Sequence, residues 1–276
     1  MSKLYIVGTP IGNLGDLSPR ARETLETADF IAAEDTRVTL KLLNHFGISK
    51  PMVSYYQHNL RERGEEIVNR IAAGESCALV TDAGMPAISD PGEDLVRLCA
   101  QRGIETVSVP GPTAALTALA LSGLSTSRFT FEGFLSTSRQ SRKEHLDSLR
   151  AERRTMIFYE APHKLRTTLG DLLEAFGDRK IALCRELTKL HEEVIRTTLE
   201  GAVERYRETA PRGEFVLVVE GAPPAAPREM FVADAVALAR SLCERGLAPA
   251  PAAKEAARIT GCKKSEIYKL LTGTEE

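Results

Sequence analysis

Short apolar runs separated by stretches in which apolar residues return every three or four positions give this chain its first legible pattern. KLYIVG (3–8), DFIAAED (29–35), PMVSYY (51–56), SCALVTD (76–82) and ETVSVPG (105–111) each read as a strand. Leu40, Leu43 and Phe46 share one face of a helix after the second run, and Ile67, Val68 and Ile71 share one face of the next helix. Such stripes are faces turned to a core. Strands alternating with helices predict βαβ units around a mainly parallel sheet. After PGPTAALTALALSG (110–123) the texture changes: RFTFEGF, RTMIFYE, KIALCREL, EEVIRTTLE and EFVLVVEG follow with fewer helical stretches between them. Hairpin pairing and a mixed sheet are expected there. The reading is therefore an α/β body in two parts, 1–113 and 114–221. GAPPAAPRE (221–229) has no periodicity and reads as a linker, placed at 222–229. Three short helices, punctuated by Gly246, Pro249, Pro251 and Gly261, are expected over 230–276.

Composition narrows the class. A chain of 276 residues buries a core of its own, and five scattered cysteines make neither a disulfide framework nor a zinc site. No run of eighteen apolar residues and no leader-like N-terminus is present, so a cytoplasmic protein without a membrane span is expected, and no metal. A net charge of −2 does not advertise nucleic acid, though it leaves room for a local basic face.

Several stretches could carry chemistry. VGTPIGNLGD (7–16) fits neither the dinucleotide fingerprint nor the phosphate loop; it is either a tight strand-to-helix turn or a close approach for a ligand. In IAAEDTR (31–37), Asp35 caps the next helix or stands, with Glu34 and Arg37, in the wall of a cleft. LVTDAGMPAISDPGE (79–93) places two prolines and two glycines at the carboxyl end of a strand, where open α/β sheets bind ligands. Asp90 before Pro91-Gly92 reads as a helix N-cap, whereas Asp82 has no such structural explanation. The five histidines are isolated in sequence, and hydrolase patterns are absent. CRELTKLHEE (184–193) crowds charge at a strand end: a solvated turn, or a site in which Lys189 beside Glu186 moves a proton.

TPIGNLGD, AAEDTR, DAGMPAISDPG, VPGPTAALTAL, FEGFL, FYEAPHKL, RELTK and GEFVLVVEG occur in this order between Leu4 and Gly221. The set resembles the ribosomal small-subunit methyltransferase I family of the tetrapyrrole methylase superfamily. The resemblance implies two α/β domains with S-adenosylmethionine in the cleft between them, a homodimer, and methylation of a cytidine ribose 2′-oxygen in the decoding region of 16S ribosomal RNA, on the 30S subunit. It places the donor against Pro10, Asp82, Ala83, Gly84, Ile88, Pro112, Thr113 and Ala114, and against Phe158, Tyr159, Leu187 and Gly213. Lys189 and Glu186 are the catalytic candidates. Candidate RNA contacts are Arg139, Arg142 and Lys143, with Lys254, Arg258, Lys263, Lys264 and Lys269 in a helix-turn-helix-like tail. Met85, Ser136 and Lys164 depart from the family's usual threonine, proline and arginine. A tetrapyrrole methylase of the same fold and an RNA-binding protein without activity are the alternatives.

Overall fold

The computed structural model describes residues 2–224 and 232–273. Contacts divide the chain into a compact body, Met1–Ala222, and a smaller tail, Pro223–Glu276.

The first half of the body builds strands β1 (Leu4–Val7), β2 (Phe30–Ala33), β3 (Met52–Ser54), β4 (Cys77–Val80) and β5 (Thr106–Val109). They form an all-parallel sheet in the order β3-β2-β4-β1-β5. Helices α1 (Pro19–Thr27) and α2 (Thr36–His45) cover one face; α3 (Leu60–Ala72) and α4 (Glu93–Gln101) cover the other. Successive side chains of a strand point to opposite faces, so Phe30 and Ala32 enter the core under α3 and α4 while Ile31 and Ala33 enter the core under α1 and α2. Both faces being covered, the strands need continuous apolar runs, and that is why they stand out in the sequence. Leu40 is a correction: it lies on the solvent side of α2, and Leu43 is that helix's core residue.

The order places β1 beside β4 although α1, β2, α2, β3 and α3 separate them in the chain. Their carboxyl-end loops, 8–13 and 81–92, therefore meet at the point where the crossovers change face, the ligand edge of an open α/β sheet.

Helix α5 (Ala114–Ser122) packs its Ala115, Ala118 and Leu119 on the second sheet. That sheet runs β6-β7-β10-β8-β9, from β6 (Phe129–Phe134), β7 (Thr155–Glu160), β8 (Lys180–Arg185), β9 (Glu193–Thr198) and β10 (Phe215–Val219). It is mixed: β6 and β7 are parallel, whereas β10 pairs antiparallel with β7 and β8, and β8 pairs antiparallel with β9. Helices α6 (Arg139–Ser148), α7 (Leu165–Phe176) and α8 (Leu199–Glu208) interrupt the strands, so β8–β9 is the one direct hairpin.

The tail holds α9 (Val232–Glu244), α10 (Pro249–Thr260) and α11 (Lys264–Thr272) around a small core of Ala235, Val236, Ala239, Ala253, Ala256 and Ile267. Gly261 adopts φ +76° and turns α10 into α11. From residue 225 onward, the linker expected at 222–229 lies outside the described residues.

Candidate active cleft

Two loops of the first sheet are laced together by backbone. Thr9 N donates to Gly84 O at 2.9 Å, Gly84 N donates back to Thr9 O at 3.1 Å, and Thr9 Oγ1 reaches Thr81 O at 3.2 Å. Gly8 N donates to Val109 O at 3.0 Å, drawing in the end of β5. Gly8 and Gly111 then touch backbone to backbone: a Cβ on Gly111 would lie 2.9 Å from the Cα, C and O of Gly8. Met85 fills the remaining space, and its Sδ accepts the Gly111 N–H at 3.3 Å. Gly84 itself sits at φ +86°. These glycines form a cradle that any added side chain would fill.

Beside the cradle stands an acidic wall. Asp35 caps α2, accepting Arg37 N at 2.8 Å, and Arg37 grips its carboxylate with Nε and Nη2. Those hydrogen bonds hold Asp35 down at about 2. Asp82 Oδ1 accepts Asp35 N at 3.2 Å, and burial pushes Asp82 upward. Asp90 is not the cap of α4. Gly92 occupies that position at φ +143°, and the Asp90 carboxylate is half-buried without a hydrogen-bond partner among the described residues. Burial first, then Glu34 and Asp82, raise it to about 6. Asp90 also acts electrostatically on Tyr159 of β7, whose hydroxyl accepts Ala115 N at 3.2 Å at the start of α5. Phe131 and Phe134 meet the Tyr159 ring edge-on.

The far wall is the loop after β8. Glu186 and Thr188 have φ +51° and +64°, just as Ala87 and Ser89 have +69° and +67° in the opposite loop. Non-glycine residues in this region carry strain, and here they cluster in the two loops that bound the cleft. Lys189 Nζ donates to Glu186 Oε1 at 2.8 Å and to Glu214 Oε2 at 2.9 Å. Its stem lies against Gly12, where a Cβ would stand 2.5 Å from Lys189 Cγ. Gly213, at φ +83°, leaves room for the Glu186 side chain. Thr81 Oγ1 and Thr188 Oγ1 are buried with no hydrogen-bond partner, so the body keeps polar capacity unused at both strand ends.

Residues 3–203 match the family model of tetrapyrrole (corrin/porphyrin) methylases. A ribosomal RNA small subunit methyltransferase I of Synechocystis is 48% identical over 98% of this chain and 97% of its own length. One of Thermotoga maritima is 47% identical over 80% of this chain and 99% of its own length. The chain belongs to the tetrapyrrole methylase family. Among solved structures, the cobalt precorrin-4 methyltransferase CbiF superposes with a TM-score of 0.59 at 19% identity, covering 79% of this chain and 95% of that one. As a methylase of this family, the protein takes its methyl group from S-adenosylmethionine.

The methylase fold brings Pro10, Asp82, Ala83, Gly84 and the 112–114 turn to one edge of the first sheet, with Tyr159 and Leu187 facing them from the second. Ile88 is half-exposed on the loop between Ala87 and Ser89. Phe158 points the other way: its side chain is fully buried in the core under α7, because neighbours on a strand face opposite sides, and only its backbone can border the cleft.

Lys189 and Glu186, expected to move a proton, form an ion pair here. Burial lowers the pKa of Lys189, but hydrogen bonds to Glu186 and Glu214 outweigh burial, and it ends above its ordinary value, fully charged at neutral pH. Glu186 is lowered by the Lys189 and Glu214 N–H hydrogen bonds. The pair ties the far wall together instead. Lys189→Arg, which keeps the charge, is expected to retain methyl transfer within about tenfold, and its pH–rate profile should show no displaced basic limb. Loss of transfer beyond a thousandfold would restore Lys189 as a base.

Among the RNA candidates, Arg142 is also corrected: it is largely buried and binds Asp171 and Thr168 of α7, so it joins two helices. Lys143 pairs with Asp147 and Arg258 with Glu255, exposed pairs that a phosphate could break. Arg139, Lys254, Lys263, Lys264 and Lys269 are exposed without an ion pair among the described residues. The residue whose placement sequence reading missed is Asp90. The Asp-Pro-Gly signature fits a cap, and only the three-dimensional placement removes its partner.

Proposed function

We propose that the protein methylates the ribose 2′-oxygen of a cytidine in the decoding region of 16S ribosomal RNA, acting on the assembled 30S subunit in the cytoplasm, as a homodimer. The observation that carries this reading is the near-full-length likeness to the Synechocystis small-subunit methyltransferase, joined to a glycine cradle at the ligand edge of the sheet. The tetrapyrrole alternative rests on structures under 25% identical, which speak for the fold alone. A division of the body at 113/114, with the cleft between its parts, belongs to the same proposal.

S-adenosylmethionine brings a methyl group already activated on a sulfonium sulfur, so the residues have mainly to position, shield and remove a proton. Pro10, the 82–84 turn and the 112–114 turn offer backbone at close range. Thr113 starts α5 without a side-chain cap, which leaves helix-end N–H groups for a carboxylate. Asp90 is the anion facing the donor's positive charge. Ile88, Tyr159 and Leu187 close the apolar sides, while Ala83, Gly84 and Gly213 admit the ligand.

Asp90→Asn tests that role in two directions. A carboxylate raised to about 6 from its ordinary 3.8 binds more protons folded than unfolded between those values, so the donor-free protein loses stability as pH rises through that window. The variant is therefore expected to melt higher at pH 8 yet to bind S-adenosylmethionine at least tenfold more weakly. Wild-type donor affinity should fall as pH drops below about 6, and the variant's should not. Calorimetric titration across pH 5 to 8 measures both; equal affinity of the two proteins at pH 8 would remove Asp90 from the donor site.

Purified protein with labelled donor and 30S subunits, followed by mass mapping of the RNA, tests the activity. Methyl transfer to a ribose in the decoding region is expected. Donor binding without transfer to RNA would favour a small-molecule methylase, and no donor binding at all would favour a binding module.

A further inference from the structure

The same edge of the first sheet carries an aromatic feature that donor binding does not use. Tyr55 and Tyr56 follow β3 in sequence and point apart: Tyr55 is fully buried, with its hydroxyl on Asp94 at 3.3 Å, whereas Tyr56 is 42% exposed. His58, also exposed, meets the Tyr56 ring at 6.1 Å with the planes 79° apart. Two rings at nearly a right angle make an open corner.

The backbone that carries the corner is tied by hydrogen bonds. Asn59 Oδ1 accepts Tyr56 N at 2.8 Å, and Asn59 Nδ2 donates to Ser54 O at 3.0 Å, closing the turn into α3. Next to it lies a shallow groove of about 380 Å³ lined by His58, Asn59, Arg61, Glu62 and Glu65. Arg61 carries no ion pair among the described residues, while Glu65 is already neutralised by Arg102 at 2.5 Å. On the neighbouring strand's loop, Arg37 projects into solvent beyond Asp35.

We propose that the Tyr56–His58 corner is a stacking platform for an unpaired RNA base that flanks the methylated nucleotide. Exposed rings beside the Arg61 guanidinium, which has no ion pair among the described residues, suit single-stranded RNA, because every base has a face to stack and every nucleotide a phosphate to pair. Position supports the same partner. In the order β3-β2-β4, the corner stands two strands from the 81–92 loop, about 10 Å at the usual strand spacing, on the same carboxyl edge. A short stretch of RNA with its ribose at the donor can place a neighbouring base there. The acidic wall between the two points disfavours phosphate, so the backbone passes on the Arg37 and Arg61 side. The inference rests on the RNA-methylase reading and adds to it the place where the strand outside the reacting nucleotide is held.

Fluorescence titration with a single-stranded oligoribonucleotide of decoding-region sequence, carrying 2-aminopurine beside the target cytidine, tests the platform directly. Tyr56→Ala/His58→Ala is expected to bind it about tenfold more weakly and to lose the stacking-dependent fluorescence change. Tyr56→Phe, which keeps the ring, should behave as wild type. Both side chains are exposed, and unchanged S-adenosylmethionine affinity reports an intact fold. Equal affinity and equal fluorescence change in wild type and the double variant would overturn the platform. Methylation of 30S subunits is scored apart: absence of transfer by wild type, with oligonucleotide binding intact, counts against the methylase reading and not against the stacking site.

Discussion

Gly111→Ala is expected to weaken S-adenosylmethionine binding by about tenfold to a hundredfold and to lower the melting temperature. The new methyl group would stand 2.9 Å from three backbone atoms of Gly8, in the narrowest part of the cradle. Backbone cannot rotate away as a side chain can, so the loops after β1 and β5 must separate. Overpacking of this kind costs about 1–3 kcal/mol. The same separation breaks the seat of the Met85 thioether on Gly111 N and shifts the 112–114 turn, so the damage reaches the donor as well as the fold. Gly8→Ala differs in an instructive way. Its methyl group would meet the flexible Met85 Sδ as well as Gly111 backbone, so adding Met85→Ala should recover part of the Gly8→Ala loss and none of the Gly111→Ala loss. Calorimetry with the donor and thermal melts of the four variants measure this. Wild-type affinity in Gly111→Ala would show that the cradle does not shape the donor site.

That contact also marks where sequence reading stops. All ten strands of the body are legible; the central ones, β1, β2, β4, β7, β8 and β10, stand out most, because strands covered on both faces need apolar runs of four to six residues. Helix α6 was not: of its ten residues only Leu146 is buried, and one residue makes no stripe. The second sheet therefore looked richer in hairpins than it is. For the site, the loops that supply it could be named in advance, since glycine and proline at strand ends mark tight turns. What each charged residue does there could not. Arg142 reads as a free cation until Asp171, twenty-nine positions away, turns out to neutralise it. Lys189 reads as a tunable base until two carboxylates are found on it, one of them Glu214 from beyond the next strand and helix. Asp90 errs in the opposite sense: assigned a local partner by its motif, it has none among the described residues. Local chemistry predicts local hydrogen bonds, and an active cleft is assembled from residues whose sequence neighbours are not their spatial ones.

Removing everything after Ala222 is expected to leave S-adenosylmethionine affinity unchanged while cutting the efficiency of 30S methylation by tenfold or more at low salt. The body has its own cores and contains every residue of the cradle, the acidic wall and the far loop. The Thermotoga relative is matched over 99% of its length by 80% of this chain, and the body, Met1–Ala222, is a stretch of that size. Chemistry is accordingly expected of the body and extra RNA affinity of the tail. Within the tail, Gly261 joins two helices through a three-residue turn, the layout of a helix-turn-helix, and α11 begins with Lys263 and Lys264 at an end without a side-chain cap. Lys254 and Lys269 add unpaired charge, whereas the Arg258–Glu255 pair contributes less. If these lysines meet phosphates, each contact releases counterions, and the slope of log affinity against log salt falls by about 0.7 to 0.9 for every contact removed. The truncated protein should therefore show a shallower salt dependence, and its deficit should narrow as salt rises and the tail's own contacts are screened. Lys263→Glu/Lys264→Glu in the full chain should reproduce most of that change without altering the melting of the body. Equal methylation of 30S by the intact and truncated proteins across the salt series would show that the tail binds no RNA; a deficit that stays constant with salt would assign it a non-ionic contact instead.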